Sequence, residues 1–429
     1  MTVTSPTRPA PRRPAARDTF RTTLPNGLDT ALVHVPGAPL AELRLVLPYA
    51  RTEPGLRPAQ DLLAARLGTA TTVRDRQAVA DRAADLGAEF STVVTAEQLV
   101  LSVSVPGEEL PGALELLADL LLRPSYGPPP PPALTATAPQ PPPGPRTRLR
   151  RAQLRRAFGG PHPLVDDDPG TGTAEVDLLA LHSRVIVPRG AVLLVLGGES
   201  TERVLARVRE ELDAWSGGPS GLVLPPFPRS EPAPGRLALH DPSTDQALLL
   251  TAGPAVPAPD PGHTALHLAQ VVLGGHASSR LTRRLRERHG LAYAVDARIR
   301  QNRAGCWLEI DCAGAPGTGQ RLAEEVTACL AELAEAGPTP REAYRARRYA
   351  AGFTRFALAT RAEEASALAG FAAGGLDLDW LTRYPDALAE VTDAHIAQAS
   401  AHFLAPARTF VATLDHTADP APAPEGLTP

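Results

Sequence analysis

The sequence predicts an α+β protein of two homologous domains, each a mostly antiparallel sheet packed with helices. The 429 residues suffice for two hydrophobic cores. A hairpin, a strand, two helices, a strand pair and a helix occur in this order twice, roughly 206 residues apart, as Leu67-Gly68 and Leu273-Gly274 show. A proline-rich stretch at 217–236 separates the halves, as expected of a linker between similar domains.

Turn residues and hydrophobic periodicity define the first elements. Asn26-Gly27 stands between two apolar runs and predicts a hairpin over 22–36. Alternating apolar residues predict strands, and apolar residues at helical spacing that stop at a glycine predict helices. The elements expected next are a strand at 41–50, helices at 57–68 and 75–87, a strand pair at 88–106 and a helix at 108–124.

A low-complexity proline segment at 127–145 interrupts this half. Proline removes backbone donors, so we expect the segment to be non-helical, mobile and dispensable for folding. A basic helix follows from "RTRLRRAQLRR" (146–156), and we expect its arginines to form a solvated face, with binding of an acidic peptide as the alternative. "VDLLALHSRVI" predicts a helix, 190–198 a buried strand, and "STERVLARVREELDAWSGG" a closing helix.

The second half repeats this order. "GRLALHD" and residues 246–255 predict strands, and helices follow at 263–275 and 278–290. "LAYAVDARIRQ" and "GCWLEIDCAG" predict a strand pair. "GTGQRLAEEVTACLAELAEAG" and the run after it predict helices, and "ARTFVATLDH" predicts a last strand.

Shifts in composition place the domain limits. Residues 1–18 contain arginines but no apolar segment, so we expect a disordered tail and no signal peptide. An N-terminal domain, a linker, a C-terminal domain and a second disordered tail then follow. The corresponding ranges are 19–216, with 127–145 as a proline-rich insert, 217–236, 237–415 and 416–429.

Composition limits the partners and the compartment. The net charge of −4 gives no sign of a nucleic-acid partner, and no run of 18 apolar residues predicts a membrane span. The basic residues are all Arg and 47 residues are Pro, which is typical of a GC-rich bacterial genome. Cys306, Cys312 and Cys329 are odd in number and lack CxxC spacing, so we expect reduced core thiols in a cytoplasmic protein.

Four segments carry a resemblance to a known family: "LPNGL", "GALELLADLLLRPSY", "GAVLLVLGG" and "VVLGGHASSRLTRRLRERHGLAYAV". Together they resemble the pitrilysin/insulinase-type zinc metallopeptidases, in the small-subunit bacterial form related to mitochondrial processing peptidase. The resemblance covers nearly the whole chain apart from the tails and 127–145, and its second-half motif is the most specific. It implies two domains that form half of a clamshell chamber.

The zinc ligands of that family have no counterpart in this sequence. Active members carry HxxEH on the first helix, where two His on one face bind zinc and the Glu activates water. The corresponding helix here, within 55–71, has neither His nor Glu, and only Gln60 and Asp61 even resemble ligands. The region of the further ligand, about 130–160, contains no Glu. We therefore expect no metal in this chain and no cleavage of peptides by it alone.

The substrate-holding pair of the family is retained. Family members place an Arg seven residues before the Tyr of the "GLAY" segment, and the two hold the substrate backbone near the zinc. Those positions are Arg286 and Tyr293. We expect Arg286 on the last turn of a helix, Gly290 in a left-handed turn and Tyr293 on the next strand, so that both donors face one cleft.

The resemblance implies a non-catalytic, substrate-binding subunit of a heterodimeric zinc metallopeptidase. Its partner would be a homologous HxxEH-bearing chain that holds the zinc, and its substrate an unstructured peptide such as a leader peptide or an oligopeptide. The alternative is a purely structural or peptide-binding member of the fold with no peptidase role. In that reading Arg286 only complements a helix dipole and Tyr293 is only a half-buried strand aromatic.

His263 and His267 are the residues that most nearly imitate a metal site. They lie four apart on the repeat's counterpart of the zinc helix, and Glu342 follows some 75 residues later. The position of the base is occupied by Leu266, which cannot activate water. We therefore expect two helix-surface histidines, with an autonomous zinc enzyme as the weakest of the three functions.

Overall fold

Two β-sheets, one in each half of the chain, organise the structure. The computed structural model describes residues 18–127, 143–165, 177–356 and 358–416. The strands are β1 (Asp18–Thr23), β2 (Asp29–His34), β3 (Leu40–Pro48), β4 (Glu89–Val94), β5 (Gln98–Pro106), β6 (Val192–Gly197), β7 (Gly235–His240), β8 (Ala247–Pro254), β9 (Ala292–Asn302), β10 (Gly305–Gly314) and β11 (Phe410–Asp415). The α-helices are α1 (Arg57–Arg66), α2 (Arg76–Asp85), α3 (Leu110–Leu122), α4 (Pro145–Phe158), α5 (Leu178–Val185), α6 (Thr201–Leu212), α7 (His263–Gly274), α8 (Gly319–Ala336), α9 (Pro340–Phe356), α10 (Arg361–Ala373), α11 (Trp380–Glu390) and α12 (Asp393–Phe403). Single 3₁₀ turns occur at Pro54–Leu56, Gly107–Glu109 and Pro406–Arg408, and a π-helix spans Thr282–Arg288.

The strand order of the two sheets shows the internal repeat. The first sheet runs β1-β2-β6-β3-β5-β4 and the second β7-β11-β8-β10-β9. In each sheet one pair is parallel, β2 with β6 and β7 with β11, and the strands beyond it pair antiparallel. The expected fold class, two α+β units with mostly antiparallel sheets, is confirmed.

Each sheet is covered on one face by a helix from the other half of the chain. On the first sheet, Leu368 of α10 packs among residues of the sheet such as Val46 and Leu194. On the second sheet, Leu149 of α4 lies in one apolar cluster with Leu250 of β8. This exchange ties the two halves together, because each of these helices belongs to one half and packs on the sheet of the other.

Helix α4 contains the basic run, and its arginines are used in this packing. Three of its arginines form ion pairs with the second half of the chain: Arg146 with Asp311, Arg148 with Asp241, and Arg150 with both Glu309 and Asp311. Arg150 Nη2 donates to Glu309 Oε1 at 3.0 Å, and Glu309 is fully buried. The expectation of a solvated basic face is therefore wrong for this side of the helix. A basic run alone does not reveal that acidic residues far along the chain will face it.

Several expectations concern residues outside the described ranges. The N-terminal tail up to residue 17, most of the proline-rich insert (128–142) and the C-terminal tail from residue 417 lie there. The expected domain limits and the mobility of the insert stay predictions. Across the described ranges, no helix has both the length and the apolar character that crossing a bilayer requires.

Candidate functional site

Helix α1 is the helix that the resemblance sets against the HxxEH helix of active family members. Ala59, Leu63 and Ala64 are buried and seat it on the first core. The Gln60 amide nitrogen donates to the Ala50 carbonyl at 3.3 Å. Asp61 accepts from Arg51 Nη2 at 2.5 Å and is engaged in that ion pair.

These side chains do not fit a zinc ion. A zinc site needs three or four thiolate, imidazole or carboxylate ligands that converge on one point. The Gln60 Oε1 atom is buried without a hydrogen-bond partner among the described residues, but one amide oxygen is not such a set. Over the ranges the structure describes, no three His, Cys, Asp or Glu residues cluster as a metal site would require.

His263 and His267 lie on α7 and are engaged in hydrogen bonds. Their ring centroids are 6.4 Å apart. His263 Nδ1 lies 2.9 Å from the Val256 carbonyl, and His267 Nδ1 lies 2.6 Å from the Tyr384 hydroxyl. Burial lowers the pKa of both, that of His267 to about 4, so both are neutral at pH 7. The structure gives them a role in packing, beside the stacked rings of Tyr384 and Trp380.

Glu342, whose spacing from His263 and His267 resembles that of a metal ligand, binds arginine side chains. It accepts from Arg280 Nε at 3.0 Å and from Arg283 Nη2 at 3.1 Å. Burial by itself would raise the pKa of the Glu342 carboxyl, but hydrogen bonds from Arg280 and Thr339 outweigh it and lower that pKa to about 2. The carboxylate thus stays ionised at neutral pH and anchors Arg283 of the π-helix and Arg280, which lies just before it.

Arg286 lies on the π-helix, which sequence periodicity had indicated only as an ordinary helix. Leu281 and Leu285 are fully buried, so the arginines point outward. Arg280 and Arg283 bind Glu342, while Arg284 donates to Glu325 and Glu332 at 2.6 and 2.7 Å; these ion pairs hold the segment in place. Arg286 is exposed and forms no ion pair or hydrogen bond with the rest of the described chain.

Two glycines shape the ends of this segment. Gly290 has φ +59°, and Leu291 N–H donates back to the Leu285 carbonyl at 2.7 Å, which closes the helix and sends the chain into β9. The expected left-handed turn is present. Gly274, at the end of α7, approaches β9 so closely that a Cβ would lie 2.6 Å from the Cβ of Ala297. The close packing of the end of α7 against β9 therefore requires a residue without a side chain at position 274.

Tyr293 lies on β9, as expected, and its position there is irregular. Ala294 pairs with Ala313 and Ala292 with Gly314, so the register shifts at Tyr293. A bulge of this kind re-aims a side chain and bends the strand. Tyr293 is 58% exposed, and its hydroxyl donates to Gln246 Oε1 at 2.8 Å. Nothing in the alternation of the sequence indicates this bulge.

An open cleft of about 520 Å³ lies where the end of α7, the π-helix and β9 meet. Arg286, His276 and Val295 are among its lining residues. Tyr293 is not among them, although it lies only two residues from Val295 on the same strand. The structure thus places Arg286 at the cleft, whereas the phenol of Tyr293 donates to Gln246 and is not among the residues that line the cleft.

The three cysteines are free and partly or fully buried. Burial raises the pKa of Cys306 to about 12 and that of Cys329 to about 11, and it also raises the pKa of Cys312. Thiols of this kind remain protonated at neutral pH and are poor nucleophiles. They are core residues and give no support to a thiol-based activity.

The fold and this donor set define a class: a metallopeptidase-like α+β protein in which the helix that the resemblance sets at the zinc position lacks a convergent set of zinc ligands. A sequence profile of the family described as Peptidase M16 inactive domain matches residues 176–349. This is the pitrilysin/insulinase family that the motifs resemble, so the match supports the recognition of an M16-like chain over these residues. The match includes α7, the π-helix and β9.

Solved structures share the fold over almost the whole chain. One is the crystal structure of a peptidase M16 inactive domain from Pseudomonas fluorescens, with 21% identity, 94% of this chain and 99% of that chain covered, and a TM-score of 0.77. Another is a protease from Helicobacter pylori, with 17% identity, 93% and 99% coverage, and a TM-score of 0.73. Among curated proteins, no match to this chain is found.

Proposed function

We propose that this chain is the substrate-binding, non-catalytic subunit of a heterodimeric zinc metallopeptidase. Arg286 and Tyr293 would hold a peptide against the zinc of a homologous HxxEH-bearing partner, in leader-peptide or oligopeptide processing in the cytoplasm. The M16 inactive-domain match supports a homologous peptidase partner in general terms. The lack of His and Glu on α1, whose only carboxylate, Asp61, is paired with Arg51, supports a division of labour in which the partner supplies the metal.

The exposed guanidinium of Arg286 is the observation that carries the proposal. Three neighbouring arginines, Arg280, Arg283 and Arg284, bind carboxylates, and these bonds fix the helix. Arg286 has no such partner among the described residues and lines an open cleft. A planar fork of N–H donors suits the carbonyl oxygens of an extended peptide.

Tyr293 would act at the margin of the same cleft. Its hydroxyl has Gln246 as its acceptor when no substrate is bound, and a rotation about the side-chain bonds would exchange Gln246 for a peptide carbonyl. A donor aimed at the oxygen on which negative charge develops stabilises the transition state more than the bound ground state. Gln246 would be a positioning residue that holds the phenol until substrate arrives.

The test is steady-state kinetics of the heterodimer. Arg286→Ala and Tyr293→Phe should each lower turnover by roughly a hundredfold, the effect typical of one lost donor, and Arg286→Lys should restore little because lysine lacks the planar fork. Arg288→Ala is the matched control, since Arg288 is an exposed arginine two residues away with no ion pair among the described residues. Gel filtration checks that each complex stays intact.

The kinetics also distinguish the alternative function. Wild-type turnover in both variants, with an intact complex, would remove the clamp role and leave a structural or peptide-binding member of the fold. A loss as large in Arg288→Ala as in Arg286→Ala would show that the general positive charge matters and the specific donor does not.

A further inference from the structure

Helix α9 presents an unusual exposed face. Six aromatic side chains are among the exposed large hydrophobic residues of the described chain, and four of them lie on α9: Tyr344 (58%), Tyr349 (41%), Phe353 (54%) and Phe356 (75%). Tyr349, Phe353 and Phe356 follow helical spacing and so lie on one side. A row of exposed aromatic rings is uncommon on a soluble surface and marks a place where something binds.

This face is also basic. Arg341, Arg345 and Arg348 lie among the aromatic residues, are exposed, and form no ion pair with the part of the chain that is described. The guanidinium of Arg348 lies 6.0 Å from the centre of the Tyr344 ring. The only acidic residue of α9, Glu342, is bound to Arg280 and Arg283. The face therefore offers aromatic surface and positive charge, and no carboxylate of the described residues pairs with these three arginines.

The face continues into the cleft that contains Arg286. The ring of Tyr349 stacks with Phe353 at 5.9 Å and lies 5.3 Å from the ring of His276, which lines the cleft. Arg345 is also near His276, since burial and the charges of Arg283 and Arg345 lower the pKa of that imidazole. Cleft and helix face thus form one surface that runs from Arg286 to Phe356.

We propose that the outer face of α9 is a docking site for an acidic segment of the substrate peptide that also carries large apolar side chains. The proposal rests on the proposed function, since it extends the same substrate beyond the Arg286 cleft. Carboxylates would pair with Arg345 and Arg348, and apolar side chains would lie against Phe353 and Phe356. Leader or oligopeptides rich in acidic and apolar residues would be favoured over basic ones.

The dimensions favour a peptide over a folded partner. From Arg345 to Phe356 the face is about 17 Å long at 1.5 Å per residue, which is the length of about five residues of an extended chain. A face one helix wide and of this length covers on the order of 200 Å², whereas a stable subunit interface buries about 800 Å² on each partner. Arg345 and Arg348 additionally favour a peptide that carries acidic side chains.

The test uses the isolated full-length chain and fluorescence anisotropy. One labelled probe is an octapeptide of alternating Glu and Leu, and the other has Lys in place of Glu. Wild-type chain should bind the acidic probe at least about tenfold more tightly, a difference of about 1.4 kcal/mol. Arg345→Glu/Arg348→Glu should abolish or invert this preference, and Phe353→Ser/Phe356→Ser should weaken binding of the acidic probe about tenfold.

A matched control makes the same change in net charge elsewhere. Arg203→Glu/Arg207→Glu reverses two arginines on α6 and should leave the preference unchanged. All four substituted positions of the α9 variants are surface positions, and circular dichroism checks that each variant is folded. Equal wild-type affinity for the two probes, or an unchanged preference in Arg345→Glu/Arg348→Glu, would overturn the proposal.

Another occupant of the face would also be recognised. If Phe353→Ser/Phe356→Ser changes the mass of the chain or of its complex in light scattering and leaves peptide binding unchanged, the face is an association surface and the proposal is wrong. Failure of the clamp is a separate result, because Arg286→Ala is tested by turnover of the heterodimer. Docking on α9 is tested by binding to the isolated chain.

Discussion

Truncation of Leu368 to alanine tests whether each sheet depends on a helix from the other half. Leu368 is 1% exposed and lies on α10, in the second half of the sequence, yet it packs on the first sheet. The other buried apolar residues of α10 are alanines, so Leu368 supplies the only large buried apolar side chain of that helix. Small neighbours cannot move far enough to fill the space that the truncation leaves.

The expected cost follows from the volume removed. Three methylene-sized groups contribute about 2.4 kcal/mol of transfer free energy. An unfilled cavity raises the loss in unfolding free energy to about 3–4 kcal/mol, inside the range measured for leucine truncations. The assay is urea unfolding combined with native-state hydrogen exchange. The exchange experiment should show lost protection in β3 and β6, some 170 residues or more before the substitution.

Two further variants provide a counterpart and a control for this experiment. Leu149→Ala on α4 should produce a similar loss, with the lost protection in β8 and β11 of the second sheet. Leu179→Ala, at a position 50% exposed, should cost less than about 1 kcal/mol. The reasoning is refuted if Leu368→Ala costs less than about 1 kcal/mol, or if lost protection is confined to the second sheet.

Two further predictions concern buried polar groups. The pKa of His267 in the folded state is about 4, below its ordinary value of 6.5. The neutral imidazole therefore contributes its full share of stability above pH 6.5, and this share is lost as pH falls toward 4. The loss in unfolding free energy over that range is about 3 kcal/mol. In urea unfolding between pH 4 and 7, His267→Phe should flatten that dependence, and an unchanged slope would assign it to other groups. Gln60→Leu should change the unfolding free energy by less than about 1 kcal/mol, because it removes an unpartnered buried oxygen and one long hydrogen bond. A loss above about 2 kcal/mol, against Asp61→Asn as control, would show that Gln60 has a partner the described chain does not contain.

The repeat and the order of elements could be predicted from the sequence because their signals are local. Asn26-Gly27 specifies a turn by its own backbone preferences, and the hairpin of β1 and β2 is present around it. Gly68 and Gly87, at which the sequence predicts that two helices end, have positive φ, the conformation in which helices commonly terminate. Such signals need no knowledge of distant residues.

Which surfaces meet could not be predicted in the same way. The apolar spacing of α4 and α10 indicates that one face is buried, but it does not say against which sheet. The ion pair between Arg150 and Glu309 joins residues 159 positions apart. The π-helix and the bulge at Tyr293 also depend on packing, because Leu281 and Leu285 have a spacing that suits an ordinary helix equally well.

Comparison of Arg286 with its neighbouring arginines distinguishes a contribution to stability from a contribution to function. Helix α1 shows that the fold does not need zinc ligands, since buried Ala59 and Leu63 seat it without them. Arg280 and Arg284 show what an arginine does when it serves the fold, because each binds a carboxylate of a neighbouring helix. Arg286 binds none among the described residues, and an exposed cation near a helix end contributes only about 0.3–1 kcal/mol. Stability therefore accounts for little of its role, and Arg286→Ala should leave the unfolding free energy nearly unchanged even where turnover of the heterodimer falls a hundredfold.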